Sequence, residues 1–187
     1  MTMNPFHHDP DWRIPVPGQP PHLSACSVES VWQALKLVDG ATDLPMLTRP
    51  ADKRPPEAER GEGFDYRATT LCHAGRPAGL VDARYLIYLP AYLYALDQLV
   101  PEEVLAEIGE ALAAGREVLF YDWDDNVDIE DAGSSFSHSA VLAAWFGGSV
   151  EHDFVARRAR WFDRPGRTAP GADPPLALDR YRRFHQP

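Results

Sequence analysis

Proline placement constrains this chain more than any other feature. Of its 18 prolines, most fall in three clusters, at residues 5–21, 45–56 and 165–175. Proline lacks a backbone donor and pushes its predecessor out of helical geometry, so regular structure is confined to the windows between clusters. The resulting reading is an irregular N-terminal arm over 1–24, a single globular domain over 25–162, and a Pro/Arg/Gly-rich tail over 163–187. Trp12 is an anchor for the arm, and Tyr181 and Phe184 are anchors for the tail. A chain of 187 residues is long enough for one proper core.

The first window opens with Ser27 to Lys36, Ser-Val-Glu-Ser-Val-Trp-Gln-Ala-Leu-Lys. Helical periodicity puts Val28, Val31, Trp32, Leu35 and Val38 on one apolar face, with Ser27 as N-cap. The same period aligns Glu29, Gln33 and Lys36 in a second stripe with Trp32 at its edge. A sugar or nucleotide site uses such groups. The helix dipole by itself also favours Glu29 in the first turn, so the stripe does not establish a site.

This string resembles the first motif of the NADAR/YbiA-like superfamily, a Ser-Val-Glu-His-aromatic-Gln-Ala-x-Lys type of helix start. Ser27, Val28, Glu29, Gln33, Ala34 and Lys36 match and Trp32 stands at an aromatic position, while Ser30 replaces the usual His. The resemblance implies a YbiA-like α+β fold, helix-rich around a small sheet. It also implies hydrolysis of N-glycosidic bonds in ADP-ribose derivatives or riboflavin-pathway intermediates, with Glu29 catalytic. An Asp after a later strand joins that Glu in the family's pocket, and Asp125 and Asp128 are the candidates here. Lys36 and Trp32 would bind phosphate and the base or sugar face, and Tyr85 or Tyr88 would take the place of a family Trp.

The other windows read as follows. Thr42 to Thr70 is a long polar loop whose Lys53, Arg54, Arg60 and Arg67 are the cations nearest the motif helix, suited to clamp phosphate. Asp82 to Leu89 has strand composition, and Pro90 suits the first turn of a helix that follows. Pro101 to Ala114 is a helix with Glu102 and Glu103 in its first turn, a buried stripe of Val104, Leu105, Ile108 and Leu112, and Gly115 as terminator. Glu117 to Asp122 reads as a buried strand, and Ser149 to Phe162 as a last one, at a sheet edge.

Between them, six carboxylates fall between Asp122 and Asp131. Their mutual repulsion raises some of their pKa values unless a cation intervenes, which suits a general acid/base or a divalent cation. EF-hand spacing is absent, since Gly is missing from loop position six. Ser137 then caps a helix over Ala140 to Phe146 closed by Gly147-Gly148, and the dipole favours neutral His138 in its first turn. No Gly-x-Ser-x-Gly elbow supports a Ser–His–Asp triad. His7, His8, Asp9 and Asp11 lack the rigid spacing of a metal site.

The net charge of −10 argues against an extended nucleic-acid surface, and no apolar run approaches the ~20 residues of a membrane span. The N-terminus lacks a signal-peptide pattern, and Cys26 with Cys72 makes no disulfide framework, so the chain reads as cytoplasmic. The expected activity is an N-glycoside hydrolase acting on a nucleotide-like small molecule, with no cofactor and no metal. Glu29, Asp125 and Asp128 would be catalytic, and Trp32, Lys36, Arg67, Tyr85, Tyr88, Asp122 and His138 would bind substrate. The alternatives are a non-catalytic nucleotide or ADP-ribose binder and a metal-dependent phosphoester hydrolase built on the acidic loop.

Overall fold

A buried helix running through residues 80–99 is the element on which the rest of the chain packs. The computed structural model describes residues 2–59, 64–167 and 176–186. The architecture is α+β: two separate two-stranded antiparallel sheets and a set of helices. β1 (Ile14–Pro15) pairs with β2 (Ser24–Ala25), and β3 (Thr70–His73) pairs with β4 (Arg76–Gly79). The helices are α1 (Val28–Leu35), α2 (80–99), α3 (Glu102–Ala113), α4 (His138–Gly147), α5 (151–162) and α6 (Asp179–Phe184).

The Asp82 to Leu89 stretch is therefore helix, not strand. Its unbroken apolar composition marks a helix buried all round: Leu80, Tyr85, Ile87, Leu89, Tyr92 and Leu96 are each within 3% of complete burial. Such a run carries no periodicity to separate a buried helix from a buried strand. Arg84–Tyr88 and Ala95–Leu99 are π-helical turns within α2. The first comes just before Pro90, which cannot donate to the helical ladder.

Ser149 to Phe162 is also helical, with Val150, Phe154 and Trp161 buried at the spacing of one helix face. Glu117 to Asp122 pairs with no strand among the described residues, and Leu119 and Tyr121 are exposed. The helix over Glu102–Ala113 forms, yet only Leu105 of its stripe is fully buried and Leu112 is exposed.

The N-terminal arm is irregular but contributes to the core: Met3, Trp12, Ile14 and Val16 are buried, and Tyr92 donates its hydroxyl to Met3 O at 2.6 Å. The backbone of Gly18 lies against the β3–β4 turn, where a Cβ would sit 2.5 Å from the His73 ring. That turn is Ala74-Gly75, both at positive φ, the geometry of a two-residue hairpin. At the other end of the chain, Phe184 of α6 packs on Trp145 of α4 with centroids 5.0 Å apart, and Asp97 of α2 accepts from the Arg180 N–H at 2.7 Å. Among the described residues no helix is long and apolar enough to cross a membrane.

Candidate functional site

Helix α1 is capped as its sequence predicts but ends at Leu35, so Lys36 is its C-cap and Val38, expected on its apolar face, lies beyond it in a bridge with Ala41. Ser27 accepts from Ser30 N at 3.0 Å as N-cap. Ser30 is sealed between Ser27 Oγ (2.6 Å) and Arg49 O (3.0 Å), so the small hydroxyl bonds in a space already filled by neighbours. The Glu29–Gln33–Lys36 stripe lies on the wall of a cavity of about 110 Å³. That is room for roughly four water molecules at ~30 Å³ each, enough for part of a small ring-shaped group.

Glu29 is 8% exposed and accepts from Gln33 Nε2 at 2.6 Å. Gln33 Oε1 in turn accepts from Arg54 N at 2.9 Å, which fixes the orientation of the amide. Burial pushes the Glu29 carboxyl above the usual carboxylate range, outweighing the opposing pull of Gln33, Lys36 and Lys53, while Asp124 pushes it further up. Arg54 serves as a clamp on α1, its guanidinium donating to Gln33 O at 2.9 Å and Lys36 O at 3.1 Å. Lys36 Nζ lies 3.2 Å from Arg54 O, at the cavity edge.

The opposite wall comes from α2 and the loop after residue 122. Arg84 and Tyr88, one helical turn apart, both face the cavity. Tyr88 stands edge-on to Trp32 (5.8 Å) and to Phe136 (6.2 Å), an aromatic corner that suits a planar group. Arg84 is 1% exposed and donates to the carbonyls of Ile129 (3.0 Å), Asp131 (2.5 Å) and Ser134 (2.5 Å). It wraps the loop around its own guanidinium and so brings Ser135 and Phe136 to the cavity. Burial lowers its pKa, with Tyr66, Asp131 and Asp128 acting in the opposite sense. Burial likewise raises the Tyr66 hydroxyl, against the pull of Arg84 and Ser135.

The second carboxylate of the cavity is Asp124. Burial and then the neighbouring Asp122 raise it, with Lys53 and His138 pulling the other way. Asp125 and Asp128, the expected partners of Glu29, do not line the cavity. Asp128 is tied to Arg157 Nη2 at 2.5 Å and caps Glu130 N at 3.0 Å. Burial pushes its carboxyl up, but those donors prevail and hold it below the ordinary range.

The other expected binding residues separate into two groups. Trp32, Lys36 and Tyr88 line the cavity. Tyr85 is sealed in the core and donates to Glu130 Oε1 at 2.9 Å, because helical rotation turns it away from Tyr88. Arg67 is exposed beyond the cavity, in a turn where Asp65 caps its N–H at 2.9 Å; Arg60 lies outside the described residues. Asp122 accepts from Ser137 Oγ and His138 N, each at 2.8 Å, and sits 2.7 Å from His138 Nδ1. It pins the start of α4 behind Asp124, and its carboxyl is held low because these partners outweigh its burial.

Sequence reasoning missed Phe6, Tyr66, Arg84, Asp124, Ser135 and Phe136 as cavity residues. No sequence signal separated Asp124 from Asp125: both are exposed, and only the course of the chain after Asp122 brings Asp124 to the cavity. Among the described residues no three His, Cys, Asp or Glu side chains converge as a metal-ligand set. The acidic loop is occupied by caps and arginines instead, with Glu130 accepting from Arg157 and Arg164.

The chain belongs to a family of unknown function, DUF6939. The family model matches residues 1–142, a span that contains every residue lining the cavity, from Phe6 to Phe136. No curated protein and no solved structure matches the chain.

Proposed function

We propose that this DUF6939 chain is an N-glycoside hydrolase acting on a nucleotide-like small molecule, with Asp124 in the role first expected of Asp125 or Asp128. The observation that carries the reading is the pair of carboxylates, Glu29 and Asp124, both raised by burial, on one small cavity with Lys36, Lys53 and an aromatic corner. Departure of a base from a sugar passes through an oxocarbenium-like transition state. Ionised Glu29 stabilises that positive charge, and its Gln33 hydrogen bond fixes the carboxylate in place. Asp124, the more exposed of the two, takes the proton of the attacking water. The sugar fills the cavity against Trp32 and Tyr88, and phosphate lies toward Lys36 and Lys53.

Free base and reducing sugar released from ADP-ribose, ribonucleotides and ribonucleosides test the reading. Turnover by the wild type, lost in Glu29→Gln and Asp124→Asn, supports it. Binding of the same compounds without turnover by the wild type refutes catalysis in favour of a binding module. Release of phosphate or a nucleoside monophosphate without free base, abolished by chelation and restored by a divalent cation, refutes it in favour of phosphoester hydrolysis.

A further inference from the structure

Residues 117–123 have the sequence of a strand and, among the described residues, no strand to pair with. Val118-Leu119-Phe120-Tyr121 is continuously apolar, and exposure alternates along the segment with period two. Leu119, Tyr121 and Trp123 are 84%, 68% and 91% exposed. The alternate residues hold the segment to its own subunit: Phe120 stacks on Phe146 at 5.3 Å and Asp122 caps α4. Among the described residues no hydrogen bond reaches a backbone group of 117–123. An apolar edge of this kind, with no proline or lysine to guard it, is what monomeric proteins avoid.

The segment is complementary to itself. Laid antiparallel on a second copy about Phe120, Arg116 faces Asp124, Leu119 faces Tyr121, Glu117 faces Trp123, and no carboxylate meets another. Moving the axis to Tyr121 sets Glu117 against Asp125. Moving it to Leu119 directs Arg116 to Asp122, which already serves Ser137 and His138. We propose that two copies of this chain pair residues 117–123 as antiparallel strands about a two-fold axis at Phe120. Each copy supplies the backbone partners the other lacks, and each Leu119 packs on the partner copy's Tyr121. The pairing is read by oligomeric state and not by turnover, although it sets each Arg116 opposite the partner copy's Asp124, the carboxylate that the catalytic reading assigns to the cavity.

Sedimentation equilibrium of the full chain tests it at about 100 µM, well above the Kd of a specific standard-size interface. A dimer is expected. Leu119→Asp and Tyr121→Lys, at exposed positions that spare the fold, each weaken it about tenfold or more, since every change acts twice across the axis. The double variant Leu119→Asp with Tyr121→Lys sets opposite charges face to face and recovers the dimer to within about threefold. A monomeric wild type overturns the proposal and leaves the segment to a strand of another protein. A dimer untouched by Leu119→Asp overturns it as well, and a double variant that stays monomeric overturns the Phe120 register on which it stands.

Discussion

Replacing Arg84 with Met tests whether one buried guanidinium organises both the acidic loop and the far wall of the cavity. Methionine keeps most of the side-chain volume and removes the three donations to Ile129, Asp131 and Ser134. The carbonyls are not equally exposed to the loss. Asn126 Nδ2 also donates to Asp131 O at 3.0 Å and Ser134 O at 3.3 Å, so those two keep a partner. Ile129, itself fully buried, keeps none for its carbonyl among the described residues. An orphaned buried acceptor costs about 1–3 kcal/mol and each of the two other charge-assisted bonds about 1.5–3 kcal/mol, a gross loss of roughly 4–9 kcal/mol. Relief from burying a charge offsets part of it. The loss is a large share of the ~5–15 kcal/mol that holds a domain folded. Urea unfolding followed by tryptophan fluorescence measures it, with Arg84→Lys recovering part, because an ammonium cannot reach three carbonyls as a planar fork does. A loss under about 1 kcal/mol for Arg84→Met refutes the reasoning and assigns the loop's order to Asn126 and its own turns.

Glu29→Gln lowers turnover about 10²- to 10⁴-fold, judged by product release, the range removed with a positioned carboxylate. Because burial raises the Glu29 pKa in the fold, its contribution to stability is present below the unfolded value and is lost as pH rises through the folded one. Above the unfolded value the buried carboxyl therefore costs stability, and at pH 7 Glu29→Gln matches or exceeds the wild-type Tm by thermal denaturation. Asp124→Asn falls with Glu29→Gln in activity, whereas Asp128→Asn, breaking a half-exposed pair with Arg157, stays within about 1 kcal/mol in urea unfolding and keeps activity. With both cavity carboxylates raised, the acid limb of the activity–pH profile lies above the ordinary carboxylate range, and a limb near the unperturbed ~3.9–4.3 counts against them. Ala74→Gly relieves an alanine held at φ +49° in the β3–β4 turn and stabilises by about 0.5–1 kcal/mol, read by urea midpoint.

What was legible in the sequence was local. Ser27 as cap, the apolar face of α1, the Glu29–Gln33–Lys36 stripe and the ends of the helix over Glu102–Ala113 follow from i, i+3, i+4 spacing and end chemistry, which act within a few residues. Cap and terminator also marked α4, through Ser137 and the left-handed Gly148.

What only the tertiary structure decided depends on what lies across from each residue. Tyr85 and Tyr88 are equivalent by composition, and whether 82–89 is strand or helix determines which of them meets Trp32. A stretch apolar on every side shows that it is buried and not how it is wound. Asp124, Asp125 and Asp128 are interchangeable as letters in an acidic run. Arg157 draws Asp128 outward across 29 residues of sequence, and Asp122 pins the chain so that Asp124 turns toward Glu29. The carboxylates differ because charge and burial are set by neighbours distant in sequence, and those neighbours exist only once the chain has closed on itself.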